Sequence, residues 1–322
     1  MVKVDIISGF LGAGKTTFLK KCLAGYADRK VVIIENEFGD IGIDGEILKR
    51  EGYQMVEIST GCICCLMQGD FLAALGRVID ENKPDIILIE PTGISILSDI
   101  VKLLRREPFR DSCELRSLVT VVDCENYLEQ SESFGEFFKD QITNATQLLL
   151  SKIQNVTPEI VEEVAVSVRQ LNPRAPVVAK NWDDLSVNEL LGFVSGDTVI
   201  DCGLEYAEPN RRRCREKHFA TFAVELPGSH PIAKVKQNLD RMKGGEYGNA
   251  LRGKGFVSSA DGSYAFSFTN GSYEIHPVDY EPSGRVCFIG VGFDKSALES
   301  LWKSDMPALI ASGAAEDDDL HA

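Results

Sequence analysis

Apolar positions follow one rhythm up to about residue 180 and another beyond about residue 217. In the first part, short β-branched runs alternate with segments whose apolar residues recur three and four apart. Val2, Val4, Ile6 and Ile7 predict a strand, and Phe18, Leu19, Cys22 and Leu23 a helix after it. Residues 31–35 make an unalternating, mostly apolar run of strand length, typical of a parallel strand covered on both faces. Residues 55–58 form another short strand. Phe71, Leu72, Leu75, Val78 and Ile79 share one face of a helix over 69–83, which Pro84 stops. Strands at 85–89, 118–123, 147–151 and 176–179, with helices near 95–106 and 158–171, continue the alternation. The order predicts an α/β fold, a mainly parallel sheet with helices on both faces.

The second rhythm is strict alternation. Strands are expected at 254–260, 263–269, 272–278 and 285–291, and Asp261-Gly262 and Asn270-Gly271 are two-residue hairpin signals. Tyr264, Phe266 and Phe268 alternate with Ala265, Ser267 and Thr269, which gives one buried face for helices near 231–242 and 294–302 to cover. This half predicts a smaller α+β domain with an antiparallel sheet. Between the halves, 201–216 holds Pro209, Asn210 and Arg211-Arg212-Arg213 with little apolar periodicity. It is taken as a solvated linker, although the arginines could also dock an acidic partner. The expected division is 1–200, linker 201–216, 217–312, and an acidic tail 313–322 expected to be disordered.

Residues 8–17 then change the picture, because they fit G-x-x-x-x-G-K-[ST] at every fixed position between a strand and a helix. This is the pattern of a P-loop, and the first domain is read as a P-loop NTPase. Glycines let backbone N–H groups curl around phosphate oxygens, and the helix N-terminus adds partial positive charge. Gly9, Gly12, Ala13, Gly14, Lys15, Thr16 and Thr17 are the candidate phosphate cradle. Lys15 should reach the β- and γ-phosphates and the Thr16 hydroxyl should ligate Mg²⁺. An ordinary glycine turn opening a helix would explain neither Lys15 nor Thr16. Glu90-Pro91-Thr92-Gly93 ends a strand on the side where ligands bind in open parallel sheets. Glu90 is placed to support Mg²⁺ or its water, and the Gly93 amide to sense a γ-phosphate. Residues 35–45, rich in glycine and carboxylates, suit a loop near the phosphates as well as a solvated acidic loop.

The chain carries 49 acidic against 34 basic residues, a formal charge of −15, which argues against general binding to DNA or RNA. No apolar run reaches the length that crosses a bilayer, and the N-terminus starts a strand rather than a signal segment, so a cytoplasmic protein is expected. Nine cysteines in that setting favour metal or redox chemistry over disulfides. Cys62, Cys64 and Cys65 fall within four positions. Thiolates suit Zn²⁺ and its neighbours. Alternation along an extended chain puts Cys65 opposite Cys62 and Cys64, so three-thiolate ligation needs a bend, which Gly61 could supply. Three thiolates without a second pair make an incomplete site, able to release its metal; a buried or redox-active cysteine turn is the plainer alternative. Cys22, Cys113, Cys124, Cys202, Cys214 and Cys287 are read as core or surface residues.

The segments SGFLGAGKTT, NEFGDIGID, GCICC, EPTG and GKGF…CFIGVGFD together resemble the CobW family of GTP-binding metallochaperones over nearly the whole chain. Relatives of this GTPase class help load nickel into urease and hydrogenase. The resemblance implies Mg-GTP binding and slow hydrolysis, with Lys15, Glu90 and Asp40 as catalytic candidates. It also implies Zn²⁺ or Co²⁺ held by Cys62, Cys64 and Cys65 with Glu37. A client metalloprotein or cofactor-assembly enzyme is the implied partner, and a homodimer is left open. Two departures stand out. The family's guanine-reading Asn/Ser/Thr-Lys-x-Asp is Ser151-Lys152-Ile153-Gln154 here. Without the carboxylate, a charge-assisted pair of about 1–3 kcal/mol is lost, which blurs GTP against ATP by roughly ten- to a hundredfold. Many members of the family carry a histidine-rich stretch in the second half, whereas His218, His230, His276 and His321 are well separated here, which argues against bulk metal storage. The expected function is a nucleotide-switched metallochaperone. The alternatives are a P-loop kinase of a small metabolite, which leaves the cysteine cluster unexplained, and a zinc-regulated adaptor without significant hydrolysis.

Overall fold

The computed structural model describes residues 1–36, 53–58, 68–194 and 219–303. Its first half runs β1 (Val2–Gly9), α1 (Lys15–Leu23), β2 (Val31–Asn36), β3 (Gln54–Ile58), α2 (Gln68–Arg77), β4 (Ile86–Glu90) and α3 (Leu97–Leu104). It continues with β5 (Cys113–Asp123), α4 (Tyr127–Ser133), α5 (Gly135–Thr143), β6 (Gln147–Ser151), α6 (Pro158–Leu171), β7 (Val177–Val178) and α7 (Val187–Val194). The strands pair in the order β3-β2-β4-β1-β5-β6-β7, all parallel. Chain order switches sides at β1, so its C-terminal end and that of β4 open the crevice where such sheets take ligands.

The unalternating runs are explained by helices on both faces. Val4, Ile6, Val32, Ile34, Ile87 and Ile89 join the core under α2 and α3. Ile7, Ile33, Ile86 and Leu88 point the other way, into the core under α1 and α7. Asp5 interrupts this second face and is fully buried. Arg116 of β5 pairs with both of its oxygens, and the Ser117 hydroxyl donates to it at 2.8 Å. Burial nevertheless raises the Asp5 carboxyl above its usual range, with Arg116 opposing.

The second half runs β8 (Phe219–Glu225), α8 (Ile232–Lys243), β9 (Asn249–Ser259), β10 (Gly262–Thr269), β11 (Ser272–Val278), β12 (Arg285–Val291) and α9 (Lys295–Lys303). Its antiparallel sheet has the order β11-β10-β9-β12-β8. Phe266 and Phe268 are buried as expected and Tyr264 is half-buried. Phe266 stacks on Trp302 of α9, and Val235, Leu239 and Met242 of α8 close the same core.

The structure departs from expectation at several elements. β5 starts at Cys113, because its first residues pair with β1 from Val2 onward. β7 keeps only two residues of the four expected. Helices α4, α5 and α7 and strand β8 were not expected. The segments 37–52, 59–67, 195–218 and 304–322 lie outside the described residues, and with them Glu37, Asp40, Cys62, Cys64, Cys65, Cys202, Cys214, the linker and the tail. Among the described residues no helix is long and apolar enough to cross a membrane.

Candidate nucleotide site

β1 delivers a glycine-rich turn in which Gly9, Gly12 and Gly14 have φ of 141°, 76° and 100°. Gly14 is the N-cap of α1, and no side chain caps that end, so its first amides point outward as donors. Lys15 is buried and its Nζ donates to the Phe10 carbonyl at 3.3 Å, back across the turn. Thr16 Oγ1 donates to Glu90 Oε1 at 2.8 Å, which joins the start of α1 to the end of β4. Glu35 of β2 is the register partner of Glu90 and is also buried. A hydroxyl and two carboxylates make an oxygen-only set suited to a hard divalent cation such as Mg²⁺, which takes its other ligands from water and phosphate.

Burial lowers Lys15 to about 8 from its usual range; Glu90 and Glu35 oppose this, and Arg252 and Lys254 add to it. A cation pushed this far is one whose surroundings suit an anion more than they suit the lysine alone. Thr92 Oγ1, in the same cavity wall, is buried with no hydrogen-bond partner among the described residues. Gly93 packs against the P-loop itself: a Cβ there would fall 2.4 Å from Leu11 N. Its carbonyl accepts from Gln141 Nε2 at 2.9 Å, so α5 holds this turn in place.

A cavity of about 850 Å³ begins at these groups, within the range of small-molecule sites. At one end the loop after β6 carries Lys152 and Gln154. Lys152 adopts a left-handed φ of 55° and its Nζ donates to Asp123 Oδ2 at 2.8 Å. Ser151 Oγ donates to the Ala13 carbonyl at 2.7 Å, fixing this loop to the P-loop. Lys180, Asn181 and Trp182 complete that end; Trp182 is buried, and its Nε1 has no hydrogen-bond partner among the described residues. The opposite wall comes from the antiparallel sheet and includes Arg252, Lys254 and Thr269.

The structure thus brings Gly12, Ala13, Gly14, Lys15, Thr16, Thr17, Glu90, Gly93, Lys152 and Gln154 to one cavity. Glu35, Asp123, Lys180, Asn181, Trp182, Arg252, Lys254 and Thr269 were not singled out from sequence as site residues. Only Glu35, at the end of its strand beside an acidic loop, carried a local signal. Cys22 and Cys124 are buried, with thiols pushed up to about 12 by that burial, and Cys113 and Cys287 are also buried. His230 is buried against the Pro227 carbonyl and His276 is exposed beside Glu274, so neither marks a cluster. Asn36 and Ile58, which precede the acidic and cysteine stretches, are register partners at adjacent strand ends.

Two family models match the chain, the CobW/HypB/UreG nucleotide-binding domain over residues 3–179 and the cobalamin synthesis protein cobW C-terminal domain over residues 219–304. The first spans more than half of the 322 residues. The chain belongs to the CobW/HypB/UreG family. A zinc chaperone CobW from Sinorhizobium is 30% identical over 292 residues, covering 80% of this chain and 81% of its own length. The zinc chaperone YeiR of Escherichia coli is 34% identical over 160 residues, about half of each chain at 49%. A crystal structure of Zn(II)-bound YjiA GTPase from E. coli aligns over 95% of this chain and 99% of its own at 21% identity, with a TM-score of 0.46. In CobW terms, the nucleotide-binding domain closes just after β7 and the C-terminal domain opens at β8.

Proposed function

We propose that the protein binds an Mg-nucleoside triphosphate in this cavity, hydrolyses it slowly, and uses the cycle to load and release a transition metal for a client metalloprotein or cofactor-assembly enzyme. One observation carries the nucleotide part: a depressed, buried Lys15 and a Thr16 hydroxyl bonded to Glu90 meet at the mouth of a glycine turn and a helix N-terminus. The turn would take the phosphate oxygens, Lys15 would neutralise them, and Thr16 and Glu90 would hold Mg²⁺, which would offset the charge of the phosphates. Membership of a family that includes proteins named zinc chaperones supports zinc as the cargo. Cys62, Cys64 and Cys65, with Glu37, are the ligand set assigned to it, and Co²⁺ serves as a spectroscopic stand-in. Asp40 belongs to the same acidic stretch and is assigned to the hydrolytic step. The protein acts in the cytoplasm, as a monomer or a homodimer.

The base lies at the Lys152, Gln154 and Trp182 end. Gln154 is exposed and offers guanine one acceptor and an unwanted donor, so discrimination between GTP and ATP is weak. Calorimetry with Mg-GDP and Mg-ADP tests both parts. Lys15→Ala should abolish binding, and the wild-type preference should stay below about a thousandfold, roughly 4 kcal/mol. Unchanged affinity in Lys15→Ala overturns the phosphate assignment, and a larger preference overturns the reading of Gln154.

A further inference from the structure

The C-terminal sheet does more than cover the cavity. β9 and β12 run in register until Ile289 opposes Arg252 and Gly290 opposes Ala250, which leaves Leu251 as the extra residue of a bulge. Leu251 and Ile289 pack in one core with Phe10 and Leu11. A Cβ built on Gly12 would lie 2.5 Å from Thr269 Cγ2 and 3.4 Å from Arg252 Nη1. The guanidinium therefore stands directly over the turn that curls around phosphate. Two residues on, and so on the same face of β9, Lys254 lines the same cavity and is only 7% exposed. Their cross-strand partners on β10 are Thr269 and Ser267, both also in the cavity wall.

We propose that Arg252 is a catalytic residue supplied within the chain by the C-terminal domain, its guanidinium contacting the γ-phosphate of the bound nucleotide, with Lys254 holding the same terminal phosphate. This rests on the nucleotide reading above and extends it to the half of the molecule that carries no P-loop. In hydrolysis the water oxygen bonds to the γ-phosphorus as the bond to the β–γ bridging oxygen breaks; the diphosphate leaves with that electron pair and the water's proton passes to a γ-phosphate oxygen. Negative charge then grows on that bridging oxygen and spreads over the γ-oxygens. A planar guanidinium holds two such oxygens in a fixed fork, whereas an ammonium offers a point charge with rotatable donors. The charge of Arg252 on Lys15 is felt already in the free site, as expected of groups aimed at one anion.

The test uses the full chain and three measurements on Arg252→Ala, Arg252→Lys and Lys254→Ala: single-turnover release of phosphate from Mg-GTP, affinity for a non-hydrolysable triphosphate, and affinity for the diphosphate. Arg252→Ala should slow release by about a thousandfold, or to the uncatalysed background, and weaken the triphosphate at least tenfold. Diphosphate affinity should stay within about threefold, a separation that a misfolded or merely loosened variant would not give. Arg252→Lys should recover triphosphate binding more than rate, and Lys254→Ala should weaken the triphosphate alone. Wild-type release from Arg252→Ala, or equal losses of di- and triphosphate in both Arg252 variants, overturns the proposal. If the wild-type chain binds no nucleotide at all, the nucleotide reading falls and this one with it. If it binds and Lys15→Ala abolishes binding while Arg252→Ala changes nothing, only this one falls.

Discussion

At the scale of single residues, Lys15 links the site's electrostatics to something measurable without activity. Its value near 8 lies below that of an unfolded lysine, so between about pH 8 and 10.5 the unfolded chain holds more protons than the folded one. The penalty for burying the cation is therefore complete below pH 8 and fades as the pH rises through that window. Lys15→Met should be the more stable protein at pH 7 without nucleotide, by up to about 3 kcal/mol, and the gain should vanish near pH 10.5. Denaturant midpoints at the two pH values check this; a Lys15→Met chain no more stable than wild type at pH 7 would contradict it. A bound phosphate restores the charge, so at pH 8 nucleotide binding should take up about half a proton, visible in calorimetry in two buffers of different ionisation enthalpy. Gly93 makes a second residue-scale case. With Leu11 N only 2.4 Å from a would-be Cβ, Gly93→Ala must push the P-loop turn. Nucleotide affinity should fall at least tenfold in titrations while the melting temperature moves by only a few degrees.

At the scale of elements, what was legible depended on whether the signal was local. The P-loop turn follows from the spacing of Gly9, Gly14, Lys15 and Thr16, and the hairpins joining β9, β10 and β11 from Asp-Gly and Asn-Gly. α4 and α5 are hidden because they bury polar groups: Gln130, Asp140 and Gln141 are nearly inaccessible, which blurs the apolar stripe. β8 shows alternation, with Phe222 and Val224 inside and Ala223 and Glu225 outside, but no turn signal opens it. Pairings between elements leave no local trace at all. Asp5 on β1 and Arg116 on β5 lie 111 residues apart and meet only when the parallel strands pair. This pair supports the sheet conditionally. Arg116→Ala strands a buried carboxylate and should cost about 3–5 kcal/mol in chemical unfolding, whereas Asp5→Leu with Arg116→Met should cost far less. Equal losses in the two variants would show that the ion pair itself, rather than the stranded charge, is what matters.

At the scale of the whole molecule, the candidate site belongs to neither half alone. The P-loop, the Glu90 turn and the Lys152 loop come from the parallel sheet, while Arg252, Lys254 and Thr269 come from the antiparallel one. Sequence periodicity assigned every strand except β8 to its sheet but carried no information on how the two sheets face each other across more than 230 positions, from Lys15 to Arg252. The cysteine stretch leaves β3 and the acidic stretch leaves β2, side by side with β4. This pairing of β3, β2 and β4 is the basis for the proposed coupling of metal and nucleotide. If Mg-nucleoside triphosphate tightens metal binding by some factor, metal must tighten the nucleotide by the same factor, and a useful switch needs roughly 5- to 150-fold. The most direct measurement is a Co²⁺ titration followed by thiolate-to-metal absorption, with no nucleotide, with diphosphate, and with a non-hydrolysable triphosphate, repeated with Cys62, Cys64 and Cys65 changed to Ser. The account expects affinities that differ between nucleotide states by a factor in that range and bands that vanish in the triple variant. Identical affinities in all three states, or bands that survive the loss of the three thiols, would contradict it.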